Sequence, residues 1–222
     1  FQYSLFAPHD VNSLINLIGG DEKFTAWLDT LFTKTSVHDK SVIDATGLIG
    51  QYAHGNEPSH HMAYLYNYAG QPWKTQALVR QILDTLYDDQ PDGLSGNEDC
   101  GQMSAWYILS AMGFYQVCPG TPEYIIGSPL FPKVTIHLDN GKDFVIKANN
   151  ISDENKYIRS ATLNGQPLTK SRFTHDDILQ GSEIVFEMDS VPNKEWASKP
   201  DDRPVSEKYE AAAKLPFAVT SD

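Results

Sequence analysis

Residues 92–113 read DGLSGNEDCGQMSAWYILSAMG and join a glycine-rich acidic loop to a long apolar run. The apolar run from Gln102 to Met112 stops at Gly113, which is typical of a helix that ends on a left-handed glycine. Because this helix is apolar on more than one face, we expect it to be buried. The loop before it places Asp99 between glycines. The stretch therefore predicts a buried helix that presents a carboxylate at its N-terminal end.

Helical spacing of apolar residues extends upstream of this stretch, starting near residue 10. A first helix stops at Gly19-Gly20, and Asp21 is the expected N-cap of the helix that follows. A third helix is predicted from Ser59 to Ala69. A fourth begins at Pro72, which suits a first-turn position. We interpret residues 1–120 as a helical unit.

Downstream of Pro119 the pattern changes to an alternation of apolar and polar residues, which is typical of strands. Asn140-Gly141 and Asn164-Gly165 supply hairpin turns. The expected strands are Lys133–Leu138, Phe144–Lys147, Tyr157–Leu163 and Glu183–Met188. We therefore expect a small antiparallel β module at 121–195, and a C-terminal tail at 196–222 with a short helical piece at Glu207–Lys214. The predicted fold class is α+β.

The composition restricts the classes of function that remain. The chain has 222 residues, 41% of them hydrophobic, and its 29 acidic and 17 basic residues give a formal net charge of −12. Nucleic-acid affinity depends mostly on phosphate neutralisation by Lys and Arg, so this balance argues against a nucleic-acid partner. No stretch approaches the roughly 18 apolar residues of a membrane span. We expect no nucleic acid and no membrane span.

A second chemistry-bearing loop reads HGNEPSHH over residues 54–61. Imidazole and carboxylate groups are usual zinc ligands. A candidate zinc site consists of His54, Glu57, His60 and His61. The oxygen donors of Asn56 and Glu57 suit a hard cation such as Ca²⁺ at least as well. A di-iron site needs two Glu-x-x-His motifs, and only one occurs here. The residues alone leave zinc, calcium and a merely capped helix with solvated histidines as open interpretations.

The acidic loop before Gln102 carries a weak EF-hand signature. Asp88, Asp92 and Asp99 fall at positions 1, 5 and 12 of such a loop, but position 4 is Pro91 and position 12 lacks the bidentate glutamate. A carboxylate that glycines hold at a helix entrance instead fits a general base, which must reach a bound water. Asp99 is therefore the candidate base.

Both loops closely resemble signatures of glycoside hydrolase family 92, a family of calcium-dependent, inverting exo-α-mannosidases. The matching stretches are residues 54–61 and 96–107, and Gln2-Tyr3 with Pro8-His9-Asp10 is similar to a third signature. The resemblance runs from Phe1 through the β module. It implies the later helices of an (α/α)6 barrel followed by the β module, joined to a large N-terminal β-sandwich and barrel portion of the same enzyme. The implied substrates are α-mannoside glycans such as N-glycans or mannans.

The resemblance also implies roles for individual residues. Asp99 matches the catalytic base, and Asn97 stands where many members carry an aspartate that assists the base. Asn56 and Glu57 match the stretch that binds the implied cofactor, Ca²⁺. The implied substrate-binding residues are His54, Gly55 and Glu98.

Three departures from the family's pattern matter. The general acid is a glutamate shortly before the Gln-Tyr of the third signature, which places it upstream of Phe1, so we expect this chain alone to be an incomplete enzyme. Gly55 replaces a glutamate of α-1,2-specific members, which makes that specificity doubtful. Leu5 stands where a tryptophan is common.

The resemblance further implies an enzyme that is secreted, periplasmic or held at the cell surface.

Three classes of function follow from the sequence. The long run around Asp99 favours a calcium-dependent α-mannosidase. The absence of the expected acid leaves a non-catalytic calcium-binding or carbohydrate-binding protein as an alternative. A zinc hydrolase built on residues 54–61 is the third hypothesis, which metal analysis separates from the other two.

Overall fold

A computed structural model describes residues 3–35 and 46–206 and contains both helices and sheets, as the α+β prediction requires. The helices are α1 (Val11–Ile18), α2 (Asp21–Thr33), α3 (Pro72–Thr85), α4 (Gln102–Met112) and α5 (His175–Leu179). The strands are β1 (Leu48–Ile49), β2 (Tyr52–Ala53), β3 (Phe114–Tyr115), β4 (Glu123–Ile126), β5 (Lys133–His137), β6 (Asp143–Asn149), β7 (Tyr157–Leu163), β8 (Gln166–Pro167), β9 (Arg172–Thr174) and β10 (Glu183–Asp189). The helical piece predicted at Glu207–Lys214 lies outside the described residues.

The first two helices are joined by the Gly19-Gly20 turn and contact each other. Asp10 caps α1, since its carboxylate accepts a hydrogen bond from the Ser13 backbone N–H at 3.1 Å. The prediction of Asp21 as the N-cap of α2 is wrong by one residue. Gly20, with a φ of 95°, is the N-cap, and Asp21 begins the helix, where its negative charge complements the helix dipole.

The α-helix predicted from Ser59 to Ala69 is wrong in type. The segment forms two 3-10 helices, Glu57–Ser59 and Met62–Asn67, and every residue of the second is buried. Its backbone N–H groups bond three residues back, as in the bond from Tyr64 to His61 at 3.0 Å. An amphipathic α-helix would leave one face in water, whereas this segment packs on all sides and is therefore fixed by tertiary contacts rather than by periodicity.

Helix α4 begins and ends where the sequence predicts, at Gln102 and at left-handed Gly113. The expectation that this helix is buried is met on one face and wrong for the other. Trp106 is fully buried, but Ile108 is 56% exposed. Ile108 lines an open pocket together with Tyr87, Leu94 and Tyr107, so this face of α4 is only partly covered by the described residues.

The β module is built around a five-stranded sheet in the order β5-β6-β10-β7-β8. The hairpins at Asn140-Gly141 and Asn164-Gly165 form as predicted, with antiparallel pairing of β5 with β6 and of β7 with β8. The prediction of an antiparallel module is wrong for one pair, because β10 lies parallel to β6. Strand β10 returns after α5 and inserts between β6 and β7, so it can run antiparallel to only one of them.

A three-stranded sheet, β3-β4-β9, connects the helical part to the β module. Strand β3 follows α4 directly and contributes Phe114 to the core of the β module and Tyr115 to the helical core. Two buried side-chain hydrogen bonds add to this connection. Asn67 donates to the Ile126 carbonyl at 2.9 Å, and the Ile158 backbone N–H donates to Gln76 at 3.1 Å.

Candidate functional site

Three chain segments come into close contact below the two loops singled out by the sequence, and glycines permit it. A Cβ atom on Gly96 would lie 2.7 Å from Thr46 Oγ1, and one on Gly47 would lie 2.7 Å from Ser95 Cβ. A Cβ atom on Gly55 would meet both Thr46 Oγ1 and the Ser95 carbonyl oxygen closer than 3.0 Å. The roots of the loops that carry residues 54–57 and 97–99 are therefore held together at backbone distance.

His54 lies at the root of the first loop and is fully buried. Its Nε2 lies 2.6 Å from the Tyr87 hydroxyl, and its Nδ1 lies 2.7 Å from the Tyr52 hydroxyl. The Tyr87 hydroxyl donates to the Met103 carbonyl at 3.2 Å, so its oxygen must accept from His54 Nε2–H. Nδ1 then has no proton and accepts from Tyr52. The neutral Nε2–H tautomer of His54 follows from these partners.

Burial, together with the nearby His60, lowers the pKa of His54 to about 3. Burial also lowers the pKa of His60 and of His61. His60 Nε2 donates to the His54 carbonyl at 2.9 Å, and its Nδ1 lies 3.2 Å from the Gln102 amide nitrogen. These three histidines are thus uncharged parts of a packed floor, not solvated side chains.

The zinc interpretation of residues 54–61 does not fit this geometry. Both ring nitrogens of His54 and of His60 already have partners, and His61 Nε2 donates to the Leu5 carbonyl at 3.0 Å. In residues 3–35 and 46–206, no group of three or more His, Cys, Asp or Glu side chains is arranged to hold a metal ion. Zinc needs free imidazole or carboxylate donors around one point.

The second loop turns sharply just before α4. Asp99, Cys100 and Gly101 have φ values of 44°, 60° and 87°, so three successive residues adopt left-handed backbone. Glu98 precedes this turn, and its carboxylate oxygens accept from the Ser104 N–H at 3.0 Å and from the Ser104 hydroxyl at 2.9 Å. Glu98 thus satisfies one backbone N–H in the first turn of α4, whose N-cap is Gly101, and the substrate role implied for Glu98 stays a prediction.

The turn leaves Asp99 exposed and brings it to Glu57 of the first loop. A hydrogen bond with the Glu57 carboxyl raises the pKa of Asp99, with further contributions from desolvation and from the negative charge of Glu57. The two residues that the sequence assigned to base and metal therefore lie together, although they come from loops about forty residues apart in the chain. Asn97 lies exposed in the same loop as Asp99.

The oxygen donors at this point fit a hard cation better than a soft one. Two carboxyl groups in contact repel each other unless a proton or a cation lies between them. Next to Glu57, the Asn56 amide nitrogen donates a 3.4 Å hydrogen bond to the Tyr3 hydroxyl, and this bond does not use the amide oxygen. Carboxylate and amide oxygens without sulfur or free imidazole are the ligands that Ca²⁺ prefers.

The EF-hand signature of the second loop does not form a calcium loop. The Asp88 carboxylate accepts from the Gln90 N–H at 2.9 Å, and the Asp88 N–H donates to the Gly93 carbonyl at 3.2 Å. Residues 88–93 therefore close a tight turn of their own. Asp99 lies in the separate left-handed turn next to α4.

The structure adds residues that the sequence did not indicate. Tyr87, just beyond the end of α3, joins His54 to α4, and Gln102 joins α4 to His60. No local pattern marks them, because their partners are distant in the chain. Tyr52, Tyr64 and Trp106 are fully buried, so these aromatic side chains pack in the core. Within the part of the chain that the structure describes, no helix has both the length and the apolar character that crossing a membrane requires.

Glycoside hydrolases use acidic side chains at the scissile bond, and Asp99 is an exposed carboxylate of the kind that this chemistry needs. The model of the Glycosyl hydrolase family 92 catalytic domain matches residues 1–190. The chain therefore belongs to glycosyl hydrolase family 92, which confirms the resemblance noted in its sequence.

Solved structures and a curated relative agree with this assignment. A family GH92 alpha-mannosidase from Bacteroides thetaiotaomicron, in complex with mannoimidazole, is 44% identical with a TM-score of 0.88. An inverting mannosidase of the same family and organism is 46% identical with a TM-score of 0.81. An uncharacterized secreted glycosidase from Arthroderma benhamiae is 32% identical over 209 residues.

The chain spans only part of these relatives. The two solved structures match 92% of this chain, which covers 27% and 29% of their lengths. The curated relative matches 93% of this chain, which covers 25% of its length. The similarity therefore concerns one portion of much longer proteins.

Proposed function

We propose that this chain supplies the catalytic base and the metal-binding loop of a calcium-dependent, inverting exo-α-mannosidase. The observation that carries this proposal is the meeting of Asp99 and Glu57 on two loops whose roots are locked together. The names of the two solved relatives, an alpha-mannosidase with bound mannoimidazole and an inverting mannosidase, support the choice of sugar and of stereochemical course. The proposed substrates are α-mannoside glycans such as N-glycans or mannans.

Asp99 is proposed to act as the general base. Inversion requires two carboxyl groups about 6.5–9.5 Å apart, with a water molecule between the base and the anomeric carbon. Asp99 is exposed and held by its loop, so water has access to its carboxylate. It would take a proton from that water as the water oxygen attacks the anomeric carbon. The proton for the leaving-group oxygen would come from an acid in the part of the enzyme that precedes Phe1, as the resemblance implies.

Asn56 and Glu57 are proposed to hold Ca²⁺, and the exposed Asn97 is proposed to assist Asp99. The remaining ligands would be water, sugar hydroxyls or groups from other parts of the enzyme, since Ca²⁺ takes six to eight oxygens. When bound, the cation supplies a template that holds adjacent sugar hydroxyls and orients the ring. In this chain, the 3-10 helix Glu57–Ser59 presents Glu57 at its first position.

Gly55 is proposed to border the substrate. The substrate roles proposed for His54 and Glu98 are indirect, because His54 is buried and Glu98 is bonded to Ser104, so both would act through the loops that they brace. Gly55 is the residue that we relate to which mannosidic linkage the enzyme cleaves. Its neighbours Thr46 and Ser95 leave no room for a Cβ atom, so a side chain is excluded at the position where α-1,2-specific members carry glutamate. We therefore propose a linkage other than α-1,2.

The helices of this chain are proposed to be the later helices of an (α/α)6 barrel, completed by an N-terminal portion of the same enzyme. The 56% exposed Ile108 on α4 is consistent with a further helix packing there. The proposed location is outside the cytoplasm, either secreted, periplasmic or at the cell surface. The name of the fungal relative, a secreted glycosidase, supports this location.

The complete protein that carries this chain, assayed on α-mannosides, tests the proposal. We expect mannose release, with β-mannose as the first anomer seen by proton NMR because the reaction inverts configuration. A chelator should abolish activity, and Ca²⁺ should restore it better than Zn²⁺. An α-glucoside of the same aglycone serves as the control substrate. Calcium binding without turnover would favour a non-catalytic carbohydrate-binding protein, and restoration by Zn²⁺ alone would contradict the metal assignment.

A further inference from the structure

Tyr87 occupies a position between the two loops of the site without belonging to either. It lies two residues beyond the end of α3, and its hydroxyl contacts His54 of the first loop and the backbone of α4. Its ring lies parallel to that of Trp106, with ring centroids 6.1 Å apart. A single hydroxyl group therefore contacts both the loop that leads to Glu57 and the helix that follows Asp99.

The hydrogen bonds through Tyr87 run in one direction. Tyr52 donates to His54 Nδ1, His54 Nε2–H donates to Tyr87, and Tyr87 donates to the Met103 carbonyl. We call this chain of bonds the Tyr52–His54–Tyr87 relay. His54 and Tyr87 each have one donor and one acceptor in use at these atoms, so neither can rotate away without leaving a buried polar group unpaired.

Two further hydrogen bonds from α4 reach the same loop at His60. The Trp106 indole N–H donates to the His60 carbonyl at 3.0 Å, and the Gln102 amide lies 3.2 Å from His60 Nδ1. These bonds fix the far end of the loop, whereas the relay fixes the imidazole of His54, two residues before Asn56. The near end of the metal loop is thus tied to α4 through the Tyr87 hydroxyl.

We propose that Tyr87 is a positioning residue that sets the placement of Asn56 and Glu57 relative to Asp99. The proposal rests on the function proposed above. It names the group that fixes the loop of residues 54–57 relative to the loop of residues 97–99. It assigns Tyr87 no contact with substrate. Partners behind metal ligands influence affinity through such orientation, and small errors in placing reacting groups are costly.

Tyr87→Phe isolates the hydroxyl, because a phenylalanine ring retains the contacts with Trp106 and Tyr107. The variant leaves the buried His54 Nε2–H without an acceptor and frees His54 to shift. In the complete protein we expect kcat to fall by about 10–100-fold. We expect the dissociation constant for Ca²⁺ alone, measured by calorimetry without substrate, to rise by about 10–100-fold.

Tyr107→Phe is the matched control, since Tyr107 is a neighbouring tyrosine whose contact in this site is a ring contact with Tyr87. It should retain wild-type kcat and calcium affinity. A purely structural role would lower the melting temperature of Tyr87→Phe but leave kcat per folded molecule and the calcium dissociation constant at wild-type values. That result would overturn the proposal.

Tyr52→Phe provides a second route if Tyr87→Phe does not fold. It releases His54 from the opposite side and leaves the bond from Tyr87 to Met103 intact. It should lower kcat and calcium affinity in the same direction, and wild-type values for both would overturn the relay. If the wild type hydrolyses α-mannosides and Tyr87→Phe keeps the wild-type kcat and calcium dissociation constant, only the role of the relay is rejected. A wild type that does not hydrolyse α-mannosides rejects the proposed function, and with it the role of Tyr87.

Discussion

Replacing Gly55 by alanine should destabilise the protein by about 3 kcal/mol or more, although only one methyl group is added. The new Cβ would meet Thr46 Oγ1 and the Ser95 carbonyl oxygen inside 3.0 Å. An overpacked site costs about 1–3 kcal/mol, and here one neighbour is a backbone atom that cannot rotate away. Because the backbone of Gly55 is not left-handed, the cost comes from lack of space alone. Chemical unfolding of the complete protein, with the midpoint and slope recorded, measures it.

Gly141→Ala is the control for this prediction. Gly141 has a φ of 79° in the β5–β6 hairpin, and a Cβ atom there has no neighbour within 4 Å. Its substitution should cost about 1 kcal/mol from backbone strain only. A cost for Gly55→Ala at or below that of Gly141→Ala would refute the argument from space. Gly55→Glu should then be no better tolerated than alanine, and it should not produce α-1,2-mannosidase activity.

Two further predictions concern single residues of the complete protein. Asp99→Asn should lower kcat by about 10²–10⁴ with the melting temperature nearly unchanged, and a kcat within about threefold of wild type would remove Asp99 from the role of base. Burial raises the pKa of Tyr115 to about 12, so above pH 10 the unfolded chain loses this proton first and the free energy of unfolding decreases. The expected loss is about 1 kcal/mol at pH 11, so between pH 10 and 12 the free energy of unfolding should fall more steeply in wild type than in Tyr115→Phe; equal slopes would contradict the prediction.

Local patterns predicted much of the fold. Apolar spacing and glycine stops gave α1 and α4, and the Asn-Gly turns gave both hairpins, because these elements depend on neighbours within a few residues. The 3-10 helix Met62–Asn67 and the parallel pairing of β10 with β6 could not be predicted this way. Burial on all sides and the insertion of a late strand are consequences of distant contacts.

The same distinction applies to the site. Asp99 and Glu57 were found through motifs, because their loops carry glycine, proline and acidic residues in recognisable spacing. Tyr87 was missed, because the apolar periodicity of α3 ends before it and its partners lie 33 residues before and 16 residues after it. The burial of His54 was missed as well, since a histidine in a polar loop is indistinguishable in sequence from a solvated one.

Glu98 and Asp99 are adjacent acidic residues of the second loop, and their side chains have different partners. Glu98 gives both carboxylate oxygens to Ser104 and so satisfies the first turn of α4, where a carboxylate is most stable. If Asp99 lay in that position, the helix N–H groups would hold it. Instead the left-handed backbone of Asp99, Cys100 and Gly101 turns Asp99 away from α4 and towards Glu57. Left-handed backbone costs about 1–2 kcal/mol at each non-glycine residue. The hydrogen bonds from Ser104 to Glu98 and the close backbone approach at Gly96 support this turn, so the Asp99 carboxylate stays exposed to water where the proposed attack requires it.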